Sequence, residues 1–361
     1  MRHFRKATIK EVAAQAGVSI TTVSLFVSGR ETVCSPETAE RIRGAVTLLH
    51  YTPSALTRGL HRRASVTLGA CLPNPLEADV TFGSSFFEQL WRGVMFQADQ
   101  EDYSLLHYPE SVRNGLSCDP FLDGRVDGLL LHEHDNRRAP RLAAAGMPTV
   151  LLNRSRDLPD CCGTVYAEEA QTVDLALSHL WALGHRRIAH VAGPVGLQTP
   201  GGAKPHLAAS PDSDDIAVQR LVAYRGWTQA RGVFDPALIA YARAWTAPEA
   251  LAHLDSWLAL PEPPTAVFCA NDIQALDIYA AVRIRGRGIP ADLSVVGVDN
   301  SAAARAADPP LTSVEVPIEA IGREAVQSLL RLLHSPPFAA GRIIVPVTHL
   351  AIRRSTSAPN R

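Results

Sequence analysis

Residues 8–24 read Thr8-Ile9-Lys10-Glu11-Val12-Ala13-Ala14-Gln15-Ala16-Gly17-Val18-Ser19-Ile20-Thr21-Thr22-Val23-Ser24, and this stretch decides how the N-terminal region folds. Thr8 and Glu11 stand at capping-box spacing, where the hydroxyl accepts a backbone N–H and the carboxylate reaches back to the cap. Ile9, Val12, Ala13 and Ala16 then share one face of a helix. Gly17 supplies the positive φ of a tight turn, and Val18 plugs the angle between two helices. Ser19 caps a second helix whose Val23 and Phe26 or Val27 point inward. A helix, a short Gly-containing turn and a helix make a helix-turn-helix. Ser35-Pro36-Glu37 opens a third helix with a cap, a pre-set φ and a favourable dipole charge, running through Ile42, Ala45, Val46 and Leu49 to about His50.

Outward from that unit comes Tyr51-Thr52-Pro53-Ser54-Ala55-Leu56-Thr57-Arg58-Gly59-Leu60. Pro53 opens a short helix that Gly59 weakens, so it is marginal alone. A short basic helix with Leu60 at its tip suits wedging into a minor groove, where an inserted side chain unstacks a base step. Charge agrees. Residues 1–63 hold ten Lys/Arg and four Asp/Glu, an excess of six positive charges, while the whole 361-residue chain is at −1. A basic head on an acidic body is the distribution expected where one end meets a polyanion. The expected organisation is a DNA-binding domain over 1–50, a hinge over 51–63 and a body over 64–361.

The body alternates apolar runs with helical stretches. Runs occur at 66–72, 103–107, 126–131, 149–152, 187–192, 265–270 and 293–298. One helical face carries Phe87, Leu90, Trp91, Val94, Met95 and Ala98, and another Val173, Ala176, Leu177 and Leu180. Such alternation predicts an α/β body of parallel sheets with crossover helices, in which ligands sit beyond the carboxyl ends of the strands. At those ends stand Asn74, His132-Glu133, Asn153-Arg154, Asn271-Asp272 and Asp299-Asn300. They suit a hydroxyl-rich ligand, and they equally suit helix capping.

Several classes are disfavoured. No stretch of about 18 apolar residues exists and the first residues lead into no apolar signal core, so a cytoplasmic, nucleoid-associated protein without membrane contact is expected. Cys34, Cys71, Cys118, Cys161, Cys162 and Cys269 lack metal-site spacing and read as reduced packing residues. No metal and no cofactor are expected. An enzyme is a poor fit, because the chain has no Gly-rich dinucleotide loop after the first strand, no P-loop, no nucleophile elbow and no zincin motif. A solute-binding protein would have no use for a helix-turn-helix.

The order T-I-K-E-V-A-A-Q-A-G-V-S-x-x-T-V-S, followed by Y-x-P-x-x-x-x-R-x-L, resembles the lac/galactose repressor family. So do Leu180–Pro194 (L-W-A-L-G-H-R-R-I-A-H-V-A-G-P), Ala266–Asp272 (A-V-F-C-A-N-D), Val295–Asn300 (V-V-G-V-D-N) and Pro310–Val314 (P-L-T-S-V). The resemblance implies an all-α head plus a periplasmic-binding-protein-like body of two lobes joined by three crossing strands, with an effector between them. Lobe one would hold about 64–164 and 316–343, and lobe two about 165–312 and 344–361. It implies that Ile20 and Thr21 reach base edges, that Thr8, Ser19, Thr22 and Ser24 contact phosphates, and that Leu60 is the hinge wedge. Arg30 and Arg58 complete the expected DNA contacts. It likewise implies effector contacts at Asn74, Asn153, Arg220, Asn271 and Asp299, with Trp245 as an aromatic wall. The expected partners are a pseudo-palindromic operator, a sugar-like effector and a second copy of the chain. The alternative is a co-repressor-type regulator sensing a nucleobase or nucleoside.

Four departures from the family pattern bear on specificity. Leu25 stands where many members place an Arg that reads guanine, with Arg30 in the following loop a candidate substitute. Ser54 replaces the usual hinge Asn, Glu168-Glu169 replaces Asp-Asn, and Ala223 replaces a Gly. An insertion over 196–216 lacks periodicity and is expected to be either a disordered surface loop, the favoured reading, or a lid.

Overall fold

The computed structural model describes the chain except residues 1–6, 28–33, 50, 52–64, 74–83, 109–119, 133–137, 153–161, 196–214, 335–340 and 361. The chain divides into two compact units, Met1–Thr67 with Gly124–Asp127, and Leu68–Asp123 with Gly128–Arg361.

In the first unit, α1 (Ile9–Ala16), α2 (Ile20–Val27) and α3 (Pro36–Leu48) form a helical head. Both limbs of the predicted capping box are made: the Glu11 N–H donates to Thr8 Oγ1 at 3.3 Å and the Thr8 N–H to Glu11 Oε2 at 2.7 Å. Gly17 has φ +64, as the turn requires. Ser19 Oγ accepts the Thr22 N–H at 3.0 Å, and Ser35 Oγ accepts the Thr38 N–H at 3.3 Å, so both expected caps are present. Val12, Ala13, Ala16, Val23, Phe26, Ala39, Ile42, Ala45 and Tyr51 form the buried centre of the head. The chain leaving this unit is held by Asp127, whose carboxylate accepts the N–H groups of Ser65 (2.6 Å), Val66 (2.7 Å) and Thr67 (3.4 Å).

The second unit contains two six-stranded sheets. The first is built from β1 (Thr67–Cys71), β2 (Ser104–His107), β3 (Gly128–Leu131), β4 (Thr149–Leu152), β5 (Cys162–Ala167) and β11 (Arg342–Val345), in the order β11-β5-β4-β3-β1-β2. The second is built from β6 (Ile188–Ala192), β7 (Ile239–Tyr241), β8 (Ala266–Cys269), β9 (Ser294–Val298), β10 (Thr312–Glu315) and β12 (His349–Ala351), in the order β12-β10-β9-β8-β6-β7. From β11 across to β1 the neighbouring strands are parallel, as are those from β10 across to β7. Strand β12 runs antiparallel to β10. The chain passes between the sheets three times, after Ala167, after Glu315 and after Val345. The parallel sheets expected from strand–helix alternation, and the two lobes with three crossings that the family resemblance implies, are therefore the architecture observed.

All seven apolar runs contain strands. Strands β3, β4, β6, β8 and β9 are buried throughout and β1 in all but Thr67, as expected of parallel strands covered on both faces, while β2, at the sheet edge, is only partly buried. One helix face differs from expectation. In α4 (Ser84–Gln100), Phe87, Leu90, Val94 and Ala98 are buried, but Met95 is 58% exposed. The cause is α11 (Ile318–His334), which meets α4 backbone to backbone: a Cβ at Gly322 would lie 2.5 Å from the Leu90 carbonyl oxygen, and one at Gly93 would collide with the Glu319 carbonyl. That approach centres the buried face on Gly93 and turns Met95 outward.

The remaining helices of the second unit are α5 (Arg138–Ala144), α6 (Glu169–Ala182), α7 (Ile216–Gln229), α8 (Ala250–Leu258), α9 (Asp272–Ile284) and α10 (Ala302–Ala306). The C-terminal segment is bound to the second sheet. Ser355 Oγ donates to the Val295 carbonyl (2.6 Å) and accepts the Thr312 N–H (2.7 Å), and His185 Nε2 meets the Ser357 carbonyl at 2.9 Å. Among the described residues no helix is long and apolar enough to cross a membrane.

Candidate functional site

The sequence leads to two sites, and each lies in its own unit. In the head, the α2 N-terminus is displayed to solvent. Ser19, Ile20 and Thr21 are exposed, Thr22 and Ser24 are half-buried, and Thr8 is exposed at the start of α1. Ile20 is 45% exposed although apolar, while Val23 on the same helix is fully buried. An apolar side chain held out beside two hydroxyls suits methyl and base-edge contact, and the unpaired N–H groups of a helix N-terminus attract phosphate. Ser19 and Thr22 also exchange a hydroxyl–hydroxyl bond of 2.8 Å, which fixes their rotamers on this edge. Arg30, Arg58 and Leu60 lie outside the described residues.

In the body, the carboxyl ends of the second sheet carry the other constellation. Arg220 projects from α7 and is buried. Its Nε–H donates to Glu169 Oε2 at 2.5 Å, its Nη2 lies 3.3 Å from Glu169 Oε1, and its Nη1 donates to the Ala270 carbonyl. Trp245 lies beside it, with the guanidinium carbon 6.0 Å from the ring centroid. The ring packs over Gly193 at the end of β6, where a Cβ would lie 3.0 Å from Trp245 Cζ3.

Asn271 follows β8. Its Oδ1 accepts the Gln274 N–H (2.8 Å) and its Nδ2 donates to the Trp245 carbonyl (2.8 Å). It therefore caps α9 and ties down the segment bearing Trp245, keeping one N–H for other use. Asp299, after β9, sits at φ +101 and is half-buried. Such a backbone is strained for a non-glycine residue, and it aims the carboxylate at a place relaxed geometry would not. Arg220, Trp245, Asn271 and Asp299 are thus brought to one edge. Asn74 and Asn153 lie outside the described residues.

Electrostatics at this edge are dominated by carboxylates. Burial pushes the Asp299 carboxyl well above the usual range; Arg220 opposes this, while Asp272 and Glu169 reinforce it. Burial also raises Asp272, against hydrogen bonds from Ser313 Oγ (2.6 Å) and the Ser301 N–H (2.7 Å). Burial raises Glu169 too, with Arg220 pulling the other way. For Arg220 burial favours the neutral form, but the charge and hydrogen bonds of Glu169 outweigh it and the guanidinium stays charged. A second cation, Arg353, donates through Nη1 to the Leu311 carbonyl (2.5 Å) and through Nη2 to Asn300 Oδ1.

Glu169 and Asp272 carry more of this site than their sequence positions advertised. Glu169 was legible as a departure from the family pattern, but its pairing with a residue 51 positions away was not. Among the described residues no cluster of three or more His, Cys, Asp or Glu could hold a metal ion.

Known proteins bear on both sites. Residues 8–54 match the family described as bacterial regulatory proteins, lacI family, and residues 177–356 match the periplasmic binding protein-like domain. The HTH-type transcriptional regulator CelR of Thermobifida fusca is 30% identical over 98% of this chain and 100% of its own length. This chain belongs to the lacI family. The HTH-type transcriptional repressor CytR of Escherichia coli (strain K12) is 28% identical over 98% of the chain and 97% of its own. A solved CelR–cellobiose complex superposes with a TM-score of 0.66 at 29% identity, covering 97% of this chain and 99% of that one. As a lacI-family member the chain is a DNA-binding helix-turn-helix transcriptional regulator, and its relatives are regulators rather than enzymes.

Proposed function

We propose that the chain represses transcription by binding a pseudo-palindromic operator as a homodimer, and that a small uncleaved polar effector of sugar-like chemistry controls that grip. In the head, Ile20 and Thr21 read base edges in the major groove, and Thr8, Ser19, Thr22 and Ser24 hold phosphates. Arg30 substitutes for the guanine-reading Arg that Leu25 replaces, and Arg58 and Leu60 act from the hinge in the minor groove. Two heads related by a two-fold axis read two half-sites. Effector contacts come from Asn74 and Asn153 in the first lobe and from Arg220, Trp245, Asn271 and Asp299 in the second. The protein works in the cytoplasm, associated with the nucleoid.

The observation that carries the effector reading is Asp299, held at φ +101 within electrostatic reach of the buried Arg220, which lies beside the Trp245 ring, at the carboxyl edge of a parallel sheet. An acceptor carboxylate and an aromatic face on either side of one arginine suit a ring bearing hydroxyls. The relative CelR, solved as a cellobiose complex, points the same way. Inducer and operator then compete through the lobe arrangement, and their coupling is limited by the effector's differential affinity for the two arrangements.

The test is a thermal-shift screen of the full chain against sugars, nucleosides and polyols, followed by operator binding with each hit. A sugar that raises the midpoint and changes operator affinity is the expected result. A chain that binds its operator but responds to no polar metabolite would overturn the effector reading.

A further inference from the structure

The side-on face of the Arg220 guanidinium is already occupied. The two nitrogens that make up its side-on fork, Nε and Nη2, are both taken by Glu169, and Nη1 by the Ala270 carbonyl. That fork is one of the two N–H pairs, beside Nη1 with Nη2, by which an arginine matches a carboxylate or phosphate bidentately. The pair is deeply buried, with side-chain exposures of 6% and 3%. Asp272 and Asp299 stand near enough for their charges to act on the same guanidinium. Glu169, Asp272 and Asp299 are thus held close to Arg220, and Arg353 acts on Asp272; both guanidinium groups are engaged in hydrogen bonds. Among the described residues at this edge, no donor is bonded to the Asp299 carboxylate.

We propose that Glu169 is a specificity-determining residue: by holding the Arg220 fork it makes the site accept an uncharged polyhydroxy ligand and reject a phosphorylated or carboxylated one. The proposal rests on the effector reading given above. An uncharged sugar donates its hydroxyls to Asp299 and leaves the buried pair intact. An anionic ligand reaches the fork only by displacing Glu169, which strands a carboxylate in a site already rich in them. Without displacement it meets Asp299 and Asp272, and the charge behind the two N–H bonds left on Arg220 is already compensated by Glu169. Glu169 acts on the ligand through Arg220, as a positioning residue, so its signature is a change in charge selectivity and not simply a loss of affinity.

The experiment uses the full chain and a panel of neutral mono- and disaccharides, each paired with its uronate and its 6-phosphate, read by thermal shift and calorimetry. Wild type is expected to bind its best neutral sugar on the order of a hundredfold more tightly than the charged counterparts. In Glu169→Gln, which leaves the guanidinium charge uncompensated, that ratio is expected to fall to about tenfold or less. Glu169→Asp keeps the charge and should keep the discrimination, which separates charge from packing if the Gln variant folds poorly. A wild-type protein that takes a sugar phosphate or uronate as tightly as the neutral sugar overturns the proposal while leaving the effector reading standing. A folded Glu169→Gln with an unchanged ratio does the same. If no member of the panel binds wild type, the effector reading itself falls, and this proposal with it.

Discussion

Glu169 and Arg220 form a buried ion pair with an Nε–Oε2 distance of 2.5 Å, joining the first residue of α6, just after the chain enters the second lobe, to the second turn of α7. Removing one partner of such a pair leaves a charge without compensation in a low-dielectric site, at a cost of about 3–5 kcal/mol. Arg220→Met should therefore lower the unfolding midpoint of the body sharply. The double variant Glu169→Leu/Arg220→Met should recover much of that loss, because replacing both partners leaves no orphan. Urea unfolding of wild type and the two variants checks this. Equal destabilisation by the single and double variants would contradict it.

Glycines at the α4–α11 crossing make a second prediction. A Cβ at Gly322 would lie 2.5 Å from the Leu90 carbonyl and 2.9 Å from the Val94 nitrogen, both backbone atoms that cannot rotate away. Gly322→Ala should cost about 1–3 kcal/mol through overpacking, although the same substitution in an open helix would be stabilising. Gly44, in α3 with nothing within 4 Å of its Cβ position, is the control. Gly44→Ala should stabilise the head by up to about 1 kcal/mol. Thermal unfolding of both variants supplies the comparison.

His190 predicts an acid sensitivity. It is fully buried between Tyr224 (ring centroids 4.8 Å) and Phe268 (4.9 Å), with Nδ1 3.0 Å from the Phe268 carbonyl. Burial lowers its pKa from 6.5 to about 4, despite that hydrogen bond. The unfolded chain then binds the proton more readily than the folded one. Stability from the neutral ring is fully present above pH 6.5 and is lost as pH falls from there through about 4, amounting to about 3 kcal/mol. His190→Phe should flatten the stability profile between those two values. An unchanged slope would show that another group titrates there.

The head offers a separation of function. Ile20 is exposed and lies outside the buried centre, so Ile20→Ala should change the stability of the head by less than about 0.5 kcal/mol. It should nevertheless weaken operator binding by about 1–3 kcal/mol and relax specificity. Thr8→Ala breaks the capping box and should cost about 1 kcal/mol of helix stability, in addition to the operator affinity lost with its phosphate contact. Circular dichroism melting together with operator titration distinguishes the two.

How much of this was legible in the sequence follows from the range of the interactions. The capping box joins residues three apart, and the turn at Gly17 depends on one φ, so both could be read directly. The apolar strands were equally plain. Strand β10 was not, because its Thr312 and Ser313 look like loop residues and are satisfied by distant groups. Thr312 is bonded through its N–H to Ser355 Oγ, and Ser313 Oγ to Asp272. Strand β5 was hidden because it begins Cys162-Gly163, a start with little strand character. Asn271 was open to two readings, helix cap or ligand contact, and its oxygen does cap α9. Glu169 was visible as an unusual residue, but the 51 residues separating it from Arg220 put its role beyond any local pattern.

The central claim is that one chain couples an operator-reading head to an effector-binding body. Its most direct test measures that coupling in both directions on the full chain: operator affinity with and without saturating effector, and effector affinity with and without operator, at fixed salt. The predicted result is that each ligand changes the other's affinity by the same factor, about fivefold or more. Effector binding that leaves operator affinity untouched would contradict it.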